Sequence, residues 1–385
     1  MWQNGRWLQS VAQAWLVLDL TGSALALGTV TAVQFAPIIL FSLFAGPLAD
    51  RFQRHRFIMA LLVASIVQTA ALTVLVASGH AELWHIYVFA VIYGTLHAVD
   101  QPARSAFLSE LVPREMVQSA VGLNSSITNA ARIIGPTIGG GLIATLGTPS
   151  CFAATVLLYV VAYLTYRAMR KDDLRPAVVG LAGRMHTQIL DGLRYVTSDR
   201  ELLVALALVG FIGTIGFNWS VGLALLARYT FEVGAPGFGL ENAMMGVGSV
   251  LGALVVASRP PAGALGLSRV AAVFSLLLFT LAVVPTFGLV LVLLPIIGLV
   301  AVLFTAGVST MVQLRSRPEY RGRVLGLLFL LLAGGTPIGG TLTGAVAAAW
   351  DIRVALALNG VICLVGTGVA IVYLQRRGPP TEVAP

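Results

Sequence analysis

Long apolar runs, parted by short breaks that hold nearly all the arginine, fill this sequence from end to end. A helix of about 20 apolar residues crosses a ~30 Å hydrocarbon core. Lipid tolerates no unpaired backbone groups, so a chain that repeats such runs is confined to bundled helices. Twelve runs can be marked, at residues 2–20, 25–45, 57–78, 83–107, 117–146, 149–168, 202–227, 237–257, 267–284, 287–311, 324–348 and 354–374. Only 10% of the 385 residues are charged, where a soluble domain carries about a quarter. The expectation is an all-α polytopic membrane protein with twelve transmembrane helices.

The basic residues orient it. With both termini cytoplasmic, the breaks and tail on that side hold 20 of the 24 Lys and Arg, and the opposite breaks hold Arg228 and Arg353 alone. Arg6 and Arg132 fall inside spans. Such asymmetry places a multi-pass protein in the cytoplasmic (inner) membrane of a bacterium. It also accounts for the net charge of +8 without a nucleic-acid partner, for which a basic face interleaved with aromatics would be needed. The first residues lack the basic leader and small-residue cleavage site of a signal peptide. Cys151 and Cys363 form no CxxC pair and read as small buried hydrophobes.

The longest break, residues 169–201, divides the chain. It leaves a six-helix bundle at 1–168, a cytoplasmic linker with a short amphipathic helix near His186–Val196, a second six-helix bundle at 202–376, and a short cytoplasmic tail at 377–385. The halves repeat in parallel. Leu111-Val-Pro-Arg-Glu aligns with Ser316-Arg-Pro-Glu-Tyr, and Pro136-Thr-Ile-Gly-Gly140 with Pro337-Ile-Gly-Gly340. Two parallel-repeated halves form one large class of transporter.

Two motifs make the comparison specific. The break Gly46-Pro-Leu-Ala-Asp-Arg-Phe-Gln-Arg-His-Arg56 resembles motif A of the major facilitator superfamily, with Gln53 in place of the usual glycine. The resemblance makes Gly46, Asp50, Arg51, Arg54 and Arg56 a conformational gate. In span 5, Gly122, Ala131, Gly135, Pro136, Gly139 and Gly140 are spaced like motif C, the antiporter motif of proton-coupled exporters, with Ala131 where glycine is usual. Gly135 and Gly139 permit a close helix approach, and Pro136 permits a bend. Gly248-Ser-Val-Leu-Gly252 in span 8 is the partner that the resemblance implies. The run Asp100-Gln-Pro-Ala-Arg104, with Leu111-Val-Pro and Arg132-Ile-Ile-Gly-Pro, resembles the enterobactin-exporter-like and macrolide-efflux-like branch.

Polar residues inside spans are costly and mark function or pairing. Asn124, Ser125, Thr128 and Arg132 share one face of span 5; Tyr93, His97, Asp100, Gln101 and Arg104 share one of span 4; Arg6, Gln9, Ser10 and Gln13 share one of span 1. Three polar faces in one half imply a wet cavity. Asp100 is the only acid well inside a span of that half, and reads equally as a proton carrier or as the ion-pair partner of Arg104 or Arg132. Asn218, with Phe217 and Trp219, is placed on the other wall, and Glu241 at the outer membrane interface.

The function expected is secondary active transport: proton-coupled export of amphipathic small molecules of drug, macrolide or siderophore type by alternating access. The alternatives are an importer or facilitator of a small solute, and a non-transporting membrane sensor. No Walker A, HExxH, GxSxG or clustered His/Cys pattern suggests an enzyme. The expected partners are a small-molecule substrate and membrane lipid, with a monomeric protein, no metal and no cofactor beyond the proton gradient that drives it.

Overall fold

The structure, a computed structural model, describes residues 1–51, 53–113, 116–169, 185–258 and 262–376. The described residues are helical almost throughout, and eight helical stretches, Arg200–Thr230 and Glu319–Ala349 among them, are long and apolar enough to cross a membrane. Large aliphatic side chains such as Val67, Leu254, Val292 and Val369 lie exposed on the outside of the bundle. That is the surface a lipid-solvated protein presents, because burying apolar area against lipid gains nothing.

The first set of helices comprises α1 (Trp2–Thr21), α2 (Ala24–Arg51), α3 (Arg54–Ala77), α4 (Leu83–Leu111), α5 (Val117–Leu146) and α6 (Thr148–Arg167). Within it, α2 packs along α4, α3 along α6, and α1 against both α5 and α6. Small residues set these approaches. A side chain at Gly94 would strike the carbonyl of Gln34, and one at Gly5 the ring of Tyr159. Gly22, in the left-handed conformation at φ 58°, ends α1 and turns the chain into α2.

Past residues 170–184 comes α7 (Met185–Ser198), then α8 (Arg200–Ile215), whose first turn is capped by the Asp199 carboxylate accepting from the Glu201 and Leu202 amides. The stretch His186–Val196, with its spaced apolar residues, falls within α7. Side chains from further along the chain fasten this region. Tyr195 stacks on Tyr320 at 4.5 Å, and Arg315 reaches both Asp199 (2.7 Å) and Glu201 (3.3 Å).

The second set continues with α9 (Trp219–Leu225), a π-turn at Leu226–Thr230, α10 (Gly234–Ser258), α11 (Ala264–Val283), α12 (Phe287–Arg315), α13 (Pro318–Gly334), α14 (Thr336–Ala349) and α15 (Ile352–Arg376). Two runs that read as single spans are each broken. Residues 202–227 divide between α8 and α9, and residues 324–348 between α13 and α14. The breaks lie against each other. The backbones at Gly335 and Gly339 press on Thr214 and Asn218 so closely that a Cβ on either would overlap Thr214. Hydropathy reports that a segment is apolar and leaves open whether its helix is continuous.

The two sets meet most tightly at one end, the end where α1 finishes, here called the far face. Gly28 on α2 abuts Gly340 on α14, and Gly344 abuts the carbonyl of Ala24. On the other flank, Gly140 and Pro136 of α5 meet Gly239 and Ala235 of α10. Between them Arg228 pairs with Asp19 at 2.9 Å, and the Tyr229 hydroxyl donates to the Gly22 carbonyl at 2.6 Å.

Candidate functional site

Asp100, Arg104 and Arg6 of the first set gather toward the opposite, near face, around the start of α1. Asp100 follows 17 positions after Leu83 on α4, which puts it roughly 25 Å along the helix at ~1.5 Å per residue. Its side chain is buried and accepts a 2.6 Å bond from Arg104 Nε, one turn further on. Arg104 also donates to the Tyr166 hydroxyl of α6 at 3.0 Å. Its guanidinium lies 4.2 Å from the centre of the Trp2 ring and 5.2 Å from that of Tyr166. Aromatic faces attract such a cation, so the arginine is held from three directions.

Arg6 sits on the same indole, 5.1 Å from the Trp2 ring centre, and donates to Gln3 Oε1. Gln3 in turn donates to Thr128 on α5 at 3.0 Å. His97 contacts both Trp2 and Tyr93 with ring centres 6.4 and 6.2 Å apart. A cavity of about 250 Å³ opens beside this group, lined among others by Trp2, Gln3, Gln101, Arg104, Asn124 and Tyr166. Two guanidinium groups thus face one carboxylate. Asp100 Oδ1, Arg104 Nη2 and Arg6 Nε are buried without a hydrogen-bond partner among the described residues.

Gln101, Arg104 and Asn124 line this cavity, Asp100, Thr128 and His97 each contact a lining residue (Arg104, Gln3 and Trp2), and Tyr93 contacts His97. The structure does not bring Gln9 and Gln13 there. Gln9 is fully buried and bonded to Gln68 and Thr69 of α3 and to Tyr159 of α6. It belongs to a sealed polar cluster between α1, α3 and α6. A wheel shows which side of α1 is polar, but not that two other helices cover part of that side. Asn218 is likewise no wall residue: it is buried and its amide donates to the Thr214 and Ile215 carbonyls, satisfying the end of α8 at the helix break. Phe217 and Trp219 pack edge-on against Phe274.

The motif residues divide as well. The side chains of Gly46, Asp50, Arg51, Gly122 and Arg132 lie outside the described residues. Arg54 pairs with Glu110 at the end of α4 at 2.7 Å, both side chains 10% exposed. His55 bonds the Tyr166 carbonyl at 2.8 Å, and Arg56 is exposed. The start of α3 is thus tied to the ends of α4 and α6. In the antiporter stretch, Ala131 is buried, and Gly135 and Gly139 face α1, at Trp7 and Val11. Gly140 and Pro136 make the contact with α10. The partner there is Gly239, not the expected Gly248 and Gly252, which seat α10 on Pro295 and Leu299 of α12. A G-x-x-x-G interval identifies a flat helix face without saying which neighbour uses it.

Glu241 is the clearest departure from expectation. It is fully buried within the bundle, and neither carboxylate oxygen has a hydrogen-bond partner among the described residues. Sequence reasoning also passed over Trp2, Gln68, Thr69, Tyr159 and Tyr166. Gln68, a lone amide in an otherwise apolar span, was the one with a signal of its own.

This architecture is shared with known transporters. A family model described as "Transmembrane secretion effector" (MFS_3) matches residues 2–383. The multidrug efflux pump Tap of Mycolicibacterium fortuitum is 28% identical over 97% of this chain and 92% of its own. Macrolide efflux protein A of Streptococcus pyogenes is 25% identical over 83% of this chain and 80% of its own. The staphyloferrin A transporter of Staphylococcus aureus is 28% identical over 66% of this chain, a match that spans 63% of that protein. Among solved structures, a bacterial homologue of the human lysosomal transporter Spinster, inward-facing and occupied, aligns with a TM-score of 0.77 at 13% identity over 99% of this chain and 96% of its own. A D-xylose–proton symporter aligns at 0.71 and 13%, over 96% of this chain and 95% of its own. The chain belongs to the transmembrane secretion effector family of the major facilitator superfamily, and is a multi-pass membrane protein of a transporter family.

Proposed function

We propose that this protein is a proton-coupled exporter of amphipathic small molecules, built as two six-span halves at residues 1–168 and 202–376 about a central cavity. The broken pairs α8/α9 and α13/α14 count as one span each in this reading, which gives twelve. The termini and the near face lie at the cytoplasm. The observation that carries the proposal is a pair of features at opposite ends: glycine seams and the Asp19–Arg228 pair join the two sets at the far face, while toward the near face the Asp100–Arg104 group borders a cavity lined by residues of the first set. Substrate then enters from the cytoplasmic side, and the seams part to release it outside.

Asp100 is the proton carrier in this scheme. Protonation of its carboxyl removes the charge that holds Arg104, freeing the guanidinium to move between Trp2 and Tyr166. Loss of the proton restores the pair. Two arginines against one acid suit the binding of a molecule that carries hydrogen-bond acceptors beside an aromatic or aliphatic body. The relatives named for multidrug, macrolide and siderophore compounds support this class. The test is uptake of a panel of macrolides, lipophilic dyes and siderophores into everted membrane vesicles. Uptake that needs an acidified lumen and collapses with an uncoupler supports the reading; uptake indifferent to the gradient contradicts proton coupling.

A further inference from the structure

The carboxyl of Glu241 lies outside the site just described. It sits seven positions after the first residue of α10, fully buried, with both oxygens unpartnered. Its direction is set by its neighbours. Gly237, Gly248 and Gly252 lie within about 40° of it on a helix turning 100° per residue. Those three glycines meet α12 at Phe287, Pro295 and Leu299. Glu241 is therefore pressed into the α10–α12 contact, where Val290 and Leu294 are fully buried.

Among the described residues, no charged side chain is paired with it. On α12 the sole ionisable group is Arg315, at the far end and paired with Asp199 and Glu201. α9 has none. On the π-turn, Arg228 is paired with Asp19 and Tyr229 bonds Gly22. On α5 the one charged residue is Arg132, with its side chain outside the described residues. α10 has no other ionisable residue. An ionised carboxylate without partner or water in such a place is strongly disfavoured, whereas a neutral carboxyl is tolerated.

Two residues before Glu241, on the other side of α10, Gly239 forms the far-face seam with Gly140. The same turn of helix thus touches α12 through a titratable group and α5 through a backbone contact. We propose that Glu241 is a second proton-binding site, in the C-terminal half: its protonated form seats α10 on α12 and so holds the far-face seam shut. Losing the proton creates a charge that must reach water, which shifts α10 and opens the seam. This inference rests on the alternating-access reading above, and adds to it a proton taken up from the far side as the seam closes.

The test measures conformation without substrate or gradient, so its result is independent of whether any compound is exported. Spin labels are placed at Leu146→Cys and Trp350→Cys, at the far ends of α5 and α14, in the full chain carrying Cys151→Ala and Cys363→Ala and reconstituted in nanodiscs. Distance distributions are then recorded across pH. With one proton linked to closure, the ratio of open to closed rises with pH by up to about tenfold per unit through the titration. Glu241→Gln, which keeps the neutral shape, is expected to stay closed with no pH response. Glu241→Asp, available should the Gln protein fail to fold, keeps the response with a displaced midpoint. A wild-type distribution indifferent to pH, a Gln variant that titrates like wild type, or an Asp variant that has lost the response overturns the proposal.

Discussion

The far-face seam gives the sharpest prediction, because both partners in it are backbone. A Cβ on Gly140 would lie 2.8 Å from the Ala235 carbonyl oxygen and 2.8 Å from Gly239 Cα. Neither atom can swing away as a side-chain tip would. Reaching the ordinary contact distance of 3.4 Å requires α5 and α10 to separate by about 0.6 Å along that line. Forcing an extra carbon into a closed contact costs typically about 1–3 kcal/mol. Because the strain exists only while the seam is shut, Gly140→Ala penalises the closed far face and not the open one. The expected consequence is a shift toward opening of roughly 5- to 150-fold in the equilibrium. The measurement is the spin-label distance between positions 146 and 350. Gly141→Ala is the control, since nothing lies within 4 Å of a Cβ there. If Gly140→Ala and Gly141→Ala give the same distribution, the seam is not what holds the far face closed.

Further predictions concern the other contacts. Gly139→Ala should be tolerated, because its Cβ would meet Val11 at an ordinary 3.4 Å, whereas Gly139→Leu should displace α1 and abolish transport; vesicle uptake assays compare the two. Removing one partner of the Arg54–Glu110 pair, as in Glu110→Gln, should destabilise the near-face junction of α3 and α4 by about 1.5–3 kcal/mol, the worth of one hydrogen bond to a charged group. Detergent-based thermal unfolding reads that loss, which the double variant should partly recover. Asp19→Asn breaks a pair whose side chains are more than a third exposed, so it should favour far-face opening by about 1 kcal/mol or less, and less still at high salt.

Much of the helical frame was legible because a bilayer leaves a chain few choices. Apolar length marked stretches that are helical in the structure, and α7 falls within the polar interval between residues 169 and 201. What hydropathy missed were the helix breaks at Gly216–Asn218 and Gly335. There the backbone groups are satisfied by a side-chain amide and by close glycine packing, which composition does not register. The span-4 face was legible as a wheel pattern, and Asp100, Arg104, His97 and Tyr93 are indeed together. Their supports were not. Trp2 and Tyr166 reach Arg104 from helices far away in sequence, and nothing local marks an aromatic as the seat of a cation. The same limit misassigned Gln9, Gly248 and Glu241: each lies on the expected helix, but the neighbour it meets is fixed by the bundle.

Proton exchange at Asp100 is the central claim, and one measurement reaches it directly. Inside-out vesicles with an acidified lumen and a pH-sensitive dye are exposed to the substrate panel, comparing wild type with Asp100→Asn in equal amounts. Substrate-triggered proton release from the lumen by wild type, absent in Asp100→Asn, is the predicted result. Equal release by both proteins would make the Asp100–Arg104 pair structural and contradict the account.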